Sequence, residues 1–157
     1  TYVTEERPLG TAGALGMMTL PQETLLAING DILTQVDFRA MLAFHREQRG
    51  DLTMAVRKYD MQVPFGVAEC QGAAVMRLTE KPLFNFFVNA GIYLLEPGVL
   101  RYIPNGERFD MTELIHRLLG EGRKVVSFPI REYWLDIGQP ENYNQAQKDV
   151  RSWESAD

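Results

Sequence analysis

The chain has 157 residues, 45% apolar and 24% charged, with a net charge of -5 at pH 7. That is the length and make-up of one ordinary globular domain, with scattered Lys and Arg and no basic stripe for a nucleic acid. No apolar run approaches the roughly 20 residues of a membrane span, no basic, apolar leader opens the chain, and the single Cys70 excludes an internal disulfide, so a cytoplasmic protein with neither membrane nor nucleic acid as partner is expected.

The chain opens at Thr1-Tyr2-Val3-Thr4-Glu5, which reads as the end of a strand and leads us to expect further residues upstream. Leu9 to Gly16 is rich in glycine and small residues, and Thr11 is placed to cap a short helix running to about Thr19. Leu25 to Ile28 reads as a buried strand that ends in the turn Asn29-Gly30-Asp31. Asp37 then caps a helix whose Phe38, Met41, Leu42 and His45 fall at helical spacing, with Gly50 as its stop. Leu52 to Arg57 is the next strand. Gly66 to Cys70 and Ala73 to Thr79 flank Gln71-Gly72 as a hairpin.

Phe87 to Leu95 is a strongly apolar strand ending at Glu96-Pro97-Gly98. Asp110-Met111-Thr112-Glu113 has the form of a capping box, opening a helix with Leu114, Ile115, Leu118 and Leu119 on one face and Gly120 or Gly122 at its end. Lys124 to Phe128 is a further strand. Pro140 suits the first position of a last helix carrying Tyr143, Ala146, Val150 and Trp153, and Ser155-Ala156-Asp157 is expected to fray. Together these elements predict an α/β domain with a mixed sheet and helices on both faces. In such sheets the residues just after strands have the first claim on function.

Five segments can carry chemistry, and each also has a plain structural reading. In Pro8-Leu9-Gly10-Thr11-Ala12-Gly13-Ala14 the glycines allow a base or phosphate to approach the backbone, or they serve packing at a helix start. Asp31 is a hard oxygen ligand for Mg²⁺ at the edge of a strand, or a turn residue. Glu80-Lys81-Pro82 offers an acceptor for hydroxyls and a point charge for a phosphate, or a solvated ion pair. Asn89-Ala90-Gly91-Ile92-Tyr93 places a glycine inside a strand, which marks a close approach or a bulge. Asp136 in Trp134-Leu135-Asp136-Ile137-Gly138 is a second carboxylate for a metal, or part of a helix cap. His45, His116 and Cys70 lack the neighbours a metal ligand or nucleophile needs.

In this order the segments resemble one family, the sugar-1-phosphate nucleotidyltransferases. Pro8 to Ala14 looks like its PLGTAGA nucleotide segment, Gly30-Asp31 like its metal-binding GD, and Phe65-Gly66-Val67 with Glu69 like its sugar-contacting FGVxE. Glu80-Lys81-Pro82, Asn89 to Tyr93 and Trp134 to Gly138 match its remaining motifs, so the resemblance covers nearly all of residues 1–157. The resemblance implies a Rossmann-like three-layer fold and a transfer of NMP from a nucleoside triphosphate to a sugar 1-phosphate. It implies a nucleotide site at Leu9, Gly10, Thr11, Gly13 and Asp31. Gly66, Glu80, Lys81, Asn89 and Gly91 would hold the sugar phosphate, and Asp31 and Asp136 would hold Mg²⁺. Catalytic roles fall to Asp31, Asp136 and Lys81.

The chain departs from the family in one respect. The GxGxR loop with which such proteins open has no match here, and the first strands of the sheet are expected to be absent. The chain by itself is therefore expected to be inactive. Ile32 to Val67 and Ile130-Arg131-Glu132-Tyr133-Trp134 look most like the guanylyltransferases acting on mannose 1-phosphate. Thymidylyl and uridylyl relatives, a non-catalytic regulatory homologue and a homo-oligomer stay open. An unrelated dinucleotide-binding protein would need G-x-G-x-x-G after a strand, which Gly10, Gly13 and Gly16 do not provide.

Overall fold

A computed structural model describes residues 3–138 and 140–154; the readings made for Thr1-Tyr2 and for Ser155-Ala156-Asp157 lie outside them. In chain order the elements are α1 (Gly13–Gly16), β1 (Leu25–Ile28), β2 (Ile32–Thr34), α2 (Phe38–Gln48), β3 (Leu52–Gln62), β4 (Val67–Gln71) and β5 (Ala74–Thr79). There follow β6 (Leu83–Leu95), a 3₁₀ helix (Pro97–Tyr102), α3 (Met111–Gly120), β7 (Val125–Ile130), β8 (Trp134–Asp136) and α4 (Pro140–Glu154).

Four strands form the central sheet in the order β1-β6-β3-β7. β6 runs antiparallel to both neighbours, while β7 is parallel to β3, so the sheet is mixed as expected. Side chains alternate across it. Leu52, Tyr93 and Leu95 face one way and pack with Val99, Leu100, Phe109, Met111, Leu114 and Leu118 from the 3₁₀ helix and the α3 region. Ala55, Ala90, Ile92 and Leu94 face the other way and pack with Met41 of α2, Val36 and Ile130. The result is three layers around two cores, with fully buried side chains such as Leu114 contributing about 1.5–3 kcal/mol each.

The helix termini follow local chemistry. Asp37 Oδ1 accepts from the N–H groups of Arg39 (2.8 Å) and Ala40 (3.0 Å), which fixes the start of α2. The left-handed residue that ends α2 is Arg49 (φ 50°), so the helix stops one residue before the expected Gly50. At α3 the Glu113 carboxylate accepts from the Asp110 N–H at 2.7 Å, one half of the capping box. Of the two glycines considered for its end, Gly122 (φ 67°) takes the left-handed turn.

Four expectations need correction. α1 is a single turn capped by Ala12, because the Thr11 hydroxyl is drawn to the Met111 N–H (2.8 Å) instead of to its own helix. β1 is only half-buried on alternate residues, since it lies at the sheet edge. The hairpin turns at Gly72-Ala73, one residue later than predicted, with Gly72 at φ 59°. β3 and β6 each extend well past the predicted strands, pairing Tyr59 with Phe86 and Met61 with Phe84 in an exposed two-stranded arm. That arm buries little on either face, so no apolar alternation announces it.

A candidate active-site cleft

β1 hands the chain directly into Asn29-Gly30-Asp31. The Asn29 N–H reaches back to the Gly91 carbonyl (2.9 Å), and the Ile32 N–H closes the turn on the Asn29 carbonyl (3.3 Å). β2 then pairs antiparallel with β8 in a register that sets Ile32 opposite Asp136, and the Ile137 N–H donates to the Asp31 carbonyl at 2.8 Å. This ribbon brings Asp31 and Asp136 together although 105 positions separate them in the chain, the difference of their numbers.

Gly138 reports how closely the carboxylates meet. A Cβ built on it would lie 3.0 Å from Asp136 Oδ1 and 3.4 Å from Asp31 Oδ2. Both carboxylates therefore border one small volume that a side chain at 138 would fill. Among the described residues no third His, Cys, Asp or Glu joins them. Two carboxylates beside open solvent fit a hard divalent cation that keeps water and takes phosphate oxygens for its other positions. Asp136 Oδ1 also accepts from the Gly138 N–H at 2.9 Å, which fixes the turn that follows β8.

Thr11, Ile28, Asn29, Gly30 and Asp31 line a cleft of about 470 Å³. Beside it, Thr11, Asn29, Tyr93 and Met111 help line a hollow of about 340 Å³. Next to Asn29 lies a bulge in β6. Register passes from Met54–Tyr93 to Val56–Asn89, leaving Ala90, Gly91 and Ile92 opposite Ala55 alone. Gly91 sits there at φ 71°, and a Cβ on it would fall 2.8 Å from Asn29 Nδ2. The glycine marks both a bulge and a close approach.

Asn89 is committed in part: its Nδ2 donates to the Tyr93 hydroxyl (2.6 Å), and its Oδ1 accepts from the Gly91 N–H (3.0 Å). Burial pushes the Tyr93 hydroxyl above its ordinary pKa, an effect partly offset by the bond with Asn89. Behind the bulge, Trp134 Nε1 donates to the Ala90 carbonyl at 2.8 Å, and Arg57 donates to the Trp134 carbonyl at 2.8 Å.

In the glycine-rich segment Leu9 and Gly13 are buried while Gly10 and Thr11 are exposed. The N–H groups of Thr11 and Ala12 are engaged by Asp110 Oδ1 (3.0 Å) and by the Phe109 carbonyl (3.0 Å). Those two amides are therefore engaged within the protein and do not present themselves to an anion. What faces the cleft is the Thr11 residue itself.

Gly66, Glu80 and Lys81 form a second group at the root of the β4–β5 hairpin, outside the lining of the cleft. A Cβ on Gly66 would sit 3.0 Å from Glu80 Oε2, and the Lys81 N–H donates to the Phe65 carbonyl at 3.2 Å. The fold thus joins the two sequence motifs to which they belong. Lys81 takes φ 45°, a costly conformation for a residue that precedes proline. Glu69, across from Arg77 in the hairpin, is ion-paired with it.

Sequence reasoning passed over Gly138 as a steric requirement and Asp110 as a partner of Thr11. A glycine two residues after an acidic strand end was the available signal for the first. For the second, contact across 99 positions leaves no local trace. His45 was set aside for want of a nearby carboxylate, yet its Nε2 lies 2.9 Å from Glu96 Oε1 and its Nδ1 lies 2.7 Å from Thr53 Oγ1.

The nucleotidyl transferase family model matches residues 1–152. A mannose-1-phosphate guanylyltransferase of Mycobacterium tuberculosis is 33% identical over 95% of this chain and 44% of its own length. The mannose-1-phosphate guanylyltransferase catalytic subunit beta of Danio rerio is 31% identical over 88% of this chain and 41% of its own length. The chain therefore spans less than half the length of these curated relatives. Among solved structures, a putative glucose-1-phosphate thymidylyltransferase from Bacillus anthracis shares the fold with a TM-score of 0.69 at 22% identity, covering 96% of this chain and 65% of its own. HddC from Yersinia pseudotuberculosis, complexed with GMP-PN, does so with a TM-score of 0.63 at 22% identity, covering 93% and 64%.

Proposed function

Because the chain belongs to the nucleotidyl transferase family, we propose that residues 1–157 are the central and C-terminal part of a sugar-1-phosphate nucleotidyltransferase domain. Its reaction is the transfer of GMP from GTP to mannose 1-phosphate or a related hexose phosphate, in the cytoplasm. The relatives that match at about 30% identity support the base and the sugar. The observation that carries the reading is the meeting of Asp31 and Asp136 over Gly138.

In this reaction a phosphate oxygen of the sugar phosphate bonds to the α-phosphorus, and the bond to the β-phosphate oxygen breaks, releasing pyrophosphate. Two anions must be held in line while charge moves onto the leaving group. Thr11 bounds the nucleotide side of the cleft, with Gly10 preceding it in the chain. Asn89, held by Tyr93 and Gly91, turns its remaining amide capacity toward sugar hydroxyls. Glu80, beside Gly66, accepts from the sugar, and Lys81 meets its phosphate. Asp31 and Asp136 would hold Mg²⁺, which when bound neutralises charge on phosphate oxygens.

The test is pyrophosphate release by the full-length gene product with GTP, UTP or dTTP against mannose 1-phosphate and glucose 1-phosphate. GTP with mannose 1-phosphate is expected to be the fastest pair. Asp136→Asn and Asp31→Asn are each expected to lower kcat/KM on the order of 10²-fold or more. A well-folded product that releases no pyrophosphate with any pair, or full activity in both variants, would sink the reading.

A further inference from the structure

We infer that Asp110 is a positioning residue for the nucleotide side of the cleft, acting through Thr11 and Gly10 without touching substrate; this rests on the nucleotide reading of residues 8–14 proposed above. Asp110 stands at the start of α3, where an aspartate normally serves only its own helix. Here the carboxylate, besides its part in the capping box of α3, also reaches a distant segment. Oδ1 accepts from the Thr11 N–H at 3.0 Å, and Oδ2 accepts from Arg108 at 3.1 Å.

The contact is reciprocal, because the Thr11 hydroxyl accepts from the Met111 N–H at 2.8 Å and so supplies α3 with a cap from another segment. Two backbone bonds flank the pair: Phe109 N–H to the Leu9 carbonyl (2.8 Å) and Ala12 N–H to the Phe109 carbonyl (3.0 Å). Gly10 makes room for the arrangement. At φ 79°, a Cβ on it would lie 2.4 Å from Asp110 Oδ1, a distance no real side chain accepts. The glycine-rich segment is thus seated against residues 109–111, and Asp110 is the one side chain of that partner strip that grips its exposed backbone. Thr11 then faces Asn29 and Asp31 across the cleft.

The test separates this role from helix capping. Asp110→Ser keeps a good helix cap but is too short to reach Thr11, so the chain should fold while the grip is lost. In the full-length product, Asp110→Ser is expected to raise KM for the nucleoside triphosphate about tenfold or more, the loss of one charge-assisted bond, with KM for the sugar phosphate little changed. Asp110→Asn keeps an acceptor of the same reach and should restore most of the affinity. Glu113→Ala removes the other half of the capping box without touching the glycine-rich segment. It should lower thermal stability and leave KM for the nucleotide unchanged.

An unchanged nucleotide KM in Asp110→Ser, or an equal rise in Glu113→Ala, would overturn the inference while the proposed function stands. A wild-type product that binds no nucleoside triphosphate would remove the proposed function, and this inference with it.

Discussion

The indole of Trp134 donates to the carbonyl of Ala90 at 2.8 Å, tying the ribbon that carries Asp136 to the bulge that carries Gly91. Ala90 is fully buried, so its carbonyl has no easy recourse to water. Arg57 lies 5.7 Å from the centre of the same indole and donates to the Trp134 carbonyl. One aromatic residue thereby ties β8 to the bulge in β6.

Trp134→Phe keeps most of the apolar volume and removes the donor. It is expected to cost about 1–3 kcal/mol, the penalty of a buried acceptor left unpaired. Chemical denaturation of the two proteins measures it, and an unchanged midpoint would show that the carbonyl finds another partner.

Gly138→Ala puts a methyl group into the volume that the Asp31 and Asp136 carboxylates share, 3.0 Å and 3.4 Å from their oxygens. The expected result is weaker binding of Mn²⁺, used as a paramagnetic reporter, by about tenfold or more, with little change in melting temperature without metal. Wild-type Mn²⁺ affinity in this variant would mean that cations do not lodge between the two carboxylates.

Gly91→Ala has two costs. A Cβ at φ 71° is strained, and it would stand 2.8 Å from the Asn29 amide. A loss of about 2 kcal/mol or more is expected from equilibrium unfolding. Because Asn29 precedes Gly30-Asp31, the same variant should also weaken cation binding, whereas Gly106→Ala, at φ 70° with open space around it, should show the backbone cost alone.

Glu96 accepts from the Thr24 hydroxyl at 2.7 Å and pairs with His45 Nε2 at 2.9 Å. The bond from Thr24, then that from His45, hold its carboxyl below the ordinary carboxylate value of 4.5. A depressed pKa stabilises the fold above that ordinary value, and the contribution fades as pH falls through it toward the folded one. Wild type is therefore expected to outlast Glu96→Gln in melts at neutral pH, with the gap closing below about pH 4. The side chain is 43% exposed, so the gap at neutral pH is modest. A gap that widens on acidification would reverse the assignment.

Local signals carried the parts of the fold that are local. Asp37 before Phe38, Glu113 three residues after Asp110, and the apolar run ending at Leu95 each announce an element through its own chemistry. The outer arm of β3 and β6 gave no such sign, because Tyr59, Phe86 and their neighbours are exposed on both faces of a ribbon held by backbone pairing. β2 and β8 are three residues each, too short for periodicity, and their pairing bridges about a hundred positions. The identity of the acidic pair was legible as motif chemistry. The steric demand at Gly138 and the grip of Asp110 were not, since both arise only once distant segments are packed.

The bulge in β6 inserts two residues relative to β3, between the Tyr93 and Asn89 pairings. Two is an even number, so side chains above and below it keep the same parity, and the arm presents the same sides as the core it springs from. Removing a single residue from Ala90-Gly91-Ile92 would put everything between Leu83 and Asn89 out of phase by half a pleat, inverting the arm. A change of length in this strand must therefore be taken up by the bulge itself if the arm is to keep its facing.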